Sequence, residues 1–156
     1  MAQTIRPNAY QIQHALARNY FIRARKTDYY PEAIEYFNIG RDYMVGLIES
    51  DAYYKRKARD FSVHCYINER INFMKKFQIR PQKRDVLEMK KYLDLVVNDE
   101  DEHVNSVIVK FMHFIKREGV LNYMPRMNPQ DKYFMALTSQ HNKDKDDGKD
   151  IILEAY

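Results

Sequence analysis

A row of polar and basic side chains on the helix predicted over residues 104–118 is suited to reading a nucleic acid. The row lies opposite an apolar stripe and consists of Asn105, Ser106, Lys110, His113 and Arg117. Asn, Ser, Lys and Arg contact base edges and phosphates in protein–DNA complexes. The first predicted site is therefore a DNA-contacting helix face.

Two further basic clusters are alternative contact sites. Residues 55–59 follow Tyr53 and Tyr54, so their cations could hold phosphates while a ring stacks on a base. The second cluster lies in the C-terminal half of the first predicted helix. The competing interpretation of both is a solvent-exposed helix face that pairs in part with acids of residues 27–50. The two clusters consist of Lys55, Arg56, Lys57 and Arg59, and of Arg18, Arg23, Arg25 and Lys26.

Catalysis and metal binding are not predicted by any residue pattern. None of the five histidines forms an i, i+4 pair with a supporting carboxylate, and the adjacent His64 and Cys65 point about 100° apart on a helix. Cys65 lies on a line that looks buried, which indicates a small hydrophobe. Carboxylate pairs such as Glu32 and Glu35 have no nucleophile or phosphate-binding loop beside them. We therefore expect no enzyme activity, no cofactor and no metal site.

Five helices are predicted to position these side chains, because apolar residues recur with helical spacing between turn signals. They cover residues 8–26, 31–50, 51–77, 82–97 and 104–118. Gly40 and Gly46 lie inside the second helix, where small residues permit a neighbouring helix to approach closely. The apolar face predicted for the first helix consists of Ile12, Leu16, Tyr20 and Ile22. The third helix has two lines at helical spacing: Tyr54, Ala58, Phe61, Cys65, Asn68 and Asn72 form one, and Val63, Ile67, Ile71, Met74 and Phe77 form the other.

The helix over residues 104–118 has the strongest apolar pattern, with the i, i+3, i+4, i+7 series of one buried stripe. The stripe consists of Val104, Val107, Ile108, Phe111, Met112 and Ile115. Gly119 then supplies a helix stop. The segments 120–126 and 132–138 flank a turn-rich centre at 127–131, and this pattern predicts a β-hairpin.

Residues 82–138 resemble a winged helix-turn-helix domain in the runs RDVLEMKKYLDLV and HVNSVIVKFMHFIKREGVL and in the hairpin that follows. The resemblance implies that the helix over 104–118 reads the major groove while the wing contacts the DNA backbone, with Arg126 and Lys132 on phosphates. The acidic run at 99–102 departs from this scheme, because carboxylates repel phosphates. Many winged-helix domains bind proteins instead.

Composition favours helices and a reducing compartment. The 156 residues are 45% hydrophobic and 31% charged, with only 4 Gly and 5 Pro, which argues against a loop-rich all-β fold. The single cysteine excludes an internal disulfide and favours a cytoplasmic location, or the nucleus or host cytoplasm. Neither a membrane span nor a signal peptide is expected, since no apolar run is long enough.

The net charge of +4 is distributed in blocks. Residues 1–26 carry five cations and no acid, and residues 27–50 carry five acids and one cation. Charge blocks form surface patches that bind partners or each other. Pairing of these two blocks is expected, either within one chain or between two chains.

The sequence as a whole predicts a mainly α fold: a helical N-terminal region at 1–80, a winged-helix-like module with a small β-hairpin at 81–139 that packs on it, and a polar tail at 140–156. We predict a non-enzymatic nucleic-acid-binding accessory or regulatory protein that binds DNA in transcription or replication. A homodimer is expected, because one small module rarely gives specific affinity. The alternative is a protein–protein interaction module, such as an adaptor, an assembly subunit or a small inhibitor from a virus or mobile element.

Overall fold

Helices make up most of the chain in the computed structural model, which describes residues 7–50, 56–96 and 102–138 and, of residues 7–9, 56–58 and 102–105, the backbone alone. The helices are α1 at Pro7–Lys26, α2 at Tyr30–Glu49, α3 at Arg56–Lys76, α4 at Lys83–Asp94 and α5 at Glu102–Arg117. A 3-10 turn at Leu121–Tyr123 and a helical segment at 132–138 follow α5. The mainly helical prediction is therefore confirmed, with helix ends close to the predicted ones.

The described residues form two compact units. The first contains the residues up to Arg80 together with 89–96, and the second contains 81–88 and 102–138. None of the described helices has the length and apolar character that crossing a membrane requires. Of the predicted acidic run at 99–102, residues 99–101 lie outside the described residues, as does the polar tail at 140–156.

In the first unit, α1 and α2 form an antiparallel pair with a three-residue connection, and they approach closely at Gly40. A Cβ atom added to Gly40 would lie 2.9 Å from the Phe21 ring and 3.0 Å from the carbonyl oxygen of Ala17. The prediction of close helix packing at an interior glycine is confirmed at Gly40. At Gly46 it is wrong, because an added Cβ would meet no atom within 4 Å.

This close approach determines which face of α1 is buried. The predicted face is wrong, because Ile12 is 61% exposed and Leu16 is 38% exposed. Small side chains on the other face let α2 come near, and tight packing there excludes more water than larger but more distant side chains would. The buried side chains of α1 are Tyr10, His14, Ala17, Phe21 and Ala24.

Aromatic rings connect the three long helices of the first unit. Phe37 of α2 lies 5.3 Å from Phe21 of α1 and 4.5 Å from Phe73 of α3, measured between ring centroids. Of the two lines predicted on α3, the second is buried at Val63, Ile67, Ile71 and Met74, whereas Phe61 of the first is 53% exposed. Aromatic pairs at these separations add to the hydrophobic stabilisation of the contact.

Two helices end in the same backbone motif with different residues. At the end of α3, Ile79 N–H donates to the Met74 carbonyl at 2.8 Å, and Gln78 adopts a left-handed conformation with φ of 54°. At the end of α5, Gly119 has the equivalent position with φ of 72°. Gly119 thus confirms the predicted helix stop, whereas Gln78 carries a Cβ where glycine is favoured.

The predicted β-hairpin is wrong, since residues 120–138 contain a 3-10 turn and a helical segment and no described residue is in a strand. The Asp131 carboxylate accepts a hydrogen bond from the Tyr133 backbone N–H at 2.8 Å. Asp131 therefore caps a helix, and its own carbonyl accepts from Met135 N–H at 3.0 Å. Tyr133 is buried and contacts Phe111 edge to face, with ring centroids 6.1 Å apart. Capping and this contact outweigh the strand propensity of the aromatic residues.

Candidate binding surfaces

The residues predicted to contact DNA follow one side of α5. Ser106, His113 and Arg117 are exposed, and Lys110 between them is half-buried. These four follow helical spacing on the side away from the buried stripe. Asn105 lies in the first part of α5, where only the backbone is described.

The residues predicted to form a wing do not lie on one. Arg126 is exposed in an irregular stretch, and Lys132 begins the helical segment at 132–138 with its Nζ 5.3 Å from the centroid of the Tyr133 ring. Because the hairpin is absent from the described residues, the second DNA contact implied by the winged-helix resemblance loses its structural basis.

The basic cluster at 55–59 is only partly described. Lys55 lies outside the described residues, and Arg56 and Lys57 are in the first turn of α3, where side chains are not described. Arg59 is half-buried. This cluster stays a prediction.

A different basic surface forms where α1 and α3 end side by side, and we call it the basic end. Its exposed cations are in the last turns of the two helices, and two exposed tyrosines follow in the α1–α2 connection and at the start of α2. The basic end consists of Arg25, Lys26, Lys75, Lys76, Tyr29 and Tyr30. Arg25 and Lys26 belong to a cluster that the sequence predicts, whereas the contribution of α3 has no signal in the local sequence.

Lys76 fixes the geometry of the basic end. Its Nζ donates to the carbonyl oxygens of Arg25 and Thr27, the latter at 2.8 Å, and lies 3.4 Å from the Asp28 carboxylate. An ammonium group at a helix C-terminus satisfies carbonyls that have no partner within the helix. The contact joins residues about fifty positions apart, so no local pattern could have revealed it.

The acids near the basic end are engaged by its own cations. Glu69 is buried, with its carboxylate 3.3 Å from the Arg25 guanidinium, and Asp28 pairs with Lys76. Tyr29 is 66% exposed and Tyr30 is 44% exposed, and the Tyr30 ring is held 5.2 Å from Phe77. The surface thus combines positive charge with accessible aromatic rings.

A second surface lies along α1 and α2, and we call it the tyrosine face. It comprises Tyr20, Tyr36, Tyr43 and Arg23, with the centroid of Tyr20 6.2 Å from that of Tyr43 and 6.3 Å from that of Tyr36. The Arg23 guanidinium carbon lies 5.2 Å from the Tyr20 centroid and 5.9 Å from the Tyr36 centroid. A guanidinium at these distances interacts favourably with the ring faces.

A groove of about 400 Å³ continues the tyrosine face towards the start of α1. It is lined by Gln13 of α1 and by Ile39, Asp42, Tyr43 and Gly46 of α2. The missing side chain at Gly46 contributes to the opening. The acids of α2 border this surface, and a hydrogen bond to Glu32 raises the pKa of the Tyr36 hydroxyl.

Burial shifts the pKa values of two titratable side chains in the first unit, Cys65 and His14. Burial raises the pKa of the Cys65 thiol to about 11, with a further contribution from Glu69. The thiol is therefore protonated at neutral pH, which accords with a packing role. Burial, followed by the positive charge of Arg18, lowers the pKa of His14.

Metal binding has no support among the described residues, which contain no cluster of three His, Cys, Asp or Glu side chains. Comparison with known proteins finds no matching family, no matching curated protein and no matching solved structure. The winged-helix resemblance therefore rests on the quoted residues alone.

Proposed function

We propose that this protein is a non-enzymatic nucleic-acid-binding protein whose basic end holds a single strand. The observation that carries the proposal is the meeting of cations from α1 and α3 beside the exposed rings of Tyr29 and Tyr30. Cations track the phosphate backbone, and aromatic faces stack on bases without regard to sequence. Single strands fit better than duplexes, because their bases are accessible to stacking.

The single cysteine still favours the cytoplasm or a nucleus as the compartment, and this remains a proposal. DNA is the proposed partner, as the sequence predicted, although stacking and phosphate contacts would also accept RNA. The predicted homodimer is likewise retained as a proposal.

Fluorescence anisotropy with a labelled oligothymidine tests the proposal, using the full chain at several salt concentrations. Arg25 and Lys76 are engaged by Glu69 and Asp28, so Lys26 and Lys75 are the cations proposed to hold phosphates. Two such contacts predict a slope of about −1.4 in a plot of log affinity against log salt for each chain bound, since each contact with a single strand contributes about −0.7. Replacing Lys26 and Lys75 with glutamate should abolish saturable binding. Both side chains are exposed, so circular dichroism should show an unchanged helix content.

The matched comparison is Lys110→Ala combined with Arg117→Ala on α5. We expect this variant to bind the single strand as the wild type does. If it loses binding while the Lys26 and Lys75 variant retains it, the contact belongs to the predicted α5 face. An absence of binding by the wild-type chain at low salt would overturn the nucleic-acid function altogether.

The alternative function, binding of a protein partner, is favoured by one specific observation. The tyrosine face joins three tyrosines and an arginine next to a groove, and Tyr and Arg are residue types that are enriched in protein interfaces. Acids of α2 border this face, so phosphates would be repelled there. Protein binding and nucleic-acid binding are therefore proposed for different surfaces.

A further inference from the structure

We infer that the tyrosine face and its groove dock a second copy of this chain, so that α1 of each copy lies against α2 of the other. The arrangement is an antiparallel four-helix bundle made from two α1–α2 pairs. It gives the proposed homodimer a contact surface, and it does not depend on nucleic-acid binding.

One side of α1 is apolar and exposed. Ile12, Leu16 and Tyr20 are spaced four residues apart, so they follow one another along a single side of the helix. The opposite side is already buried in the first unit. A helix that is apolar on two sides needs a second cover, and contiguous exposed apolar surface marks sites of protein contact.

This side of α1 is directed away from α3. Arg25 reaches α3 through Glu69, whereas Tyr20 contacts the tyrosines of α2. Positions 20 and 25 are separated by about 140° around a helix. The tyrosine face is therefore not covered by the third helix of its own unit.

Charge complementarity indicates that the molecule docking on the tyrosine face is a second copy of this chain. Residues 7–26 contain cations and no acid, whereas residues 30–49 contain four acids and one cation. Two-fold pairing about an axis parallel to the helices sets α1 of one copy against α2 of the other. Each basic helix then meets an acidic helix, and every neighbouring pair in the bundle is antiparallel.

The same symmetry preserves height along the helices, which predicts particular contacts. Arg23 stands level with Tyr36, as their 5.9 Å separation shows, and therefore faces Glu35 of the other copy. Gln13 and Gly46 line the groove together, so Ile12 is at the height of the groove. Ile12 of one copy would fill the groove of its partner.

The size of the surface is consistent with a reversible dimer. Two helices of 20 residues side by side present a face of about 30 by 20 Å, or roughly 600 Å², compared with about 800 Å² for each partner in a standard interface. The expected dimer therefore dissociates on dilution.

Analytical ultracentrifugation of the full chain over a micromolar concentration series tests the inference without nucleic acid. The wild type should change reversibly between monomer and dimer. Ile12→Asp should raise the dissociation constant about tenfold or more, because it places a carboxylate in the groove. Leu87→Asp is the matched control, since Leu87 is also 38% exposed but lies in the second unit, and it should leave the dimer unchanged.

A charge exchange tests the register of the helices. Arg23→Glu and Glu35→Arg should each weaken the dimer, and the double variant should restore it, while circular dichroism shows that all three remain helical. A wild-type chain that stays monomeric, or a dimer that Ile12→Asp leaves intact, would overturn the inference. Failure of the double variant to restore dimerisation would overturn the proposed pairing of α1 with α2.

Discussion

At the scale of single residues, replacing the two interior glycines of α2 with alanine should have opposite effects on the free energy of unfolding. Gly40→Ala should lower the free energy of unfolding by about 1 kcal/mol or more, because crowding a packed core costs about 1–3 kcal/mol and exceeds the gain of up to about 1 kcal/mol from replacing a helical glycine. The added methyl group would press on the buried Phe21 ring and a fixed carbonyl.

Gly46→Ala is the matched control for Gly40, since an added Cβ meets open space. We expect it to raise the free energy of unfolding by up to about 1 kcal/mol. Urea unfolding of both variants measures the difference, at a protein concentration low enough for the chain to be monomeric, because the proposed dimer would fill the groove beside Gly46. Equal effects at the two positions would contradict the close contact of α1 with α2 at Gly40.

Gln78 stores backbone strain at the end of α3. Gln78→Gly should raise the free energy of unfolding by about 1 kcal/mol, because a left-handed conformation costs a residue with a Cβ about 1–2 kcal/mol and glycine gives part of this back through a more flexible unfolded chain. The converse change, Gly119→Ala at the end of α5, should destabilise by a similar amount. Thermal unfolding of the two variants should show shifts of opposite sign.

At the scale of helices, we expect the packing of α1 on α3 to make the free energy of unfolding depend on pH through His14. His14 is buried, its ring centroid lies 4.9 Å from that of Phe61, and its Nε2 has no hydrogen-bond partner among the described residues. Its pKa is lowered by burial, so the unfolded chain binds a proton more readily than the folded chain. Stability from neutral His14 is thus fully present above pH about 6.5 and declines as pH falls below that value.

His14→Gln should flatten the dependence of unfolding free energy on pH below about 6.5. The same substitution at His113, which is exposed on α5, serves as the control. Urea midpoints measured over this pH range test the prediction. An unchanged slope in the His14 variant would show that the buried imidazole does not carry the effect.

Among the structural elements, local sequence patterns predicted the features that depend on interactions between neighbouring residues. Helical spacing predicted α1 to α5, and Gly119 marked the end of α5, because both depend on neighbouring residues. The buried side of α1 was missed, since Ala17 and Ala24 are buried through their fit to α2 and not through their own hydrophobicity. The hairpin was missed because Asp131 was read as a turn residue when it caps a helix.

Among the candidate sites, too, the local one could be predicted from the sequence and the one formed by distant segments could not. The exposure of Ser106, His113 and Arg117 on α5 could be predicted from helical spacing alone. The basic end could not, because Lys76 reaches the end of α1 across about fifty residues. A surface formed by two segments that are distant in the chain can be predicted only when their packing is known. Local sequence patterns show each segment separately and not which other segment it contacts.

At the scale of the whole molecule, the proposed dimer and the proposed nucleic-acid site reinforce each other. A two-fold axis parallel to α1 and α2 would set the two basic ends at the same end of the bundle. One single strand could then contact both, and the second contact would benefit from high effective concentration. Dimerisation would thus increase affinity without changing either basic end.

The Ile12→Asp variant separates these contributions, because Ile12 lies outside the basic end. About four phosphate contacts by a dimer predict a slope of about −3 in log affinity against log salt, and about two contacts by the monomeric variant predict a slope of about −1.4. Anisotropy with an oligothymidine long enough for two sites should show this halving together with weaker binding. With an oligonucleotide too short to span both basic ends, wild type and variant should bind alike. A full slope in a variant that ultracentrifugation shows to be monomeric would mean that nucleic-acid binding does not use the dimer.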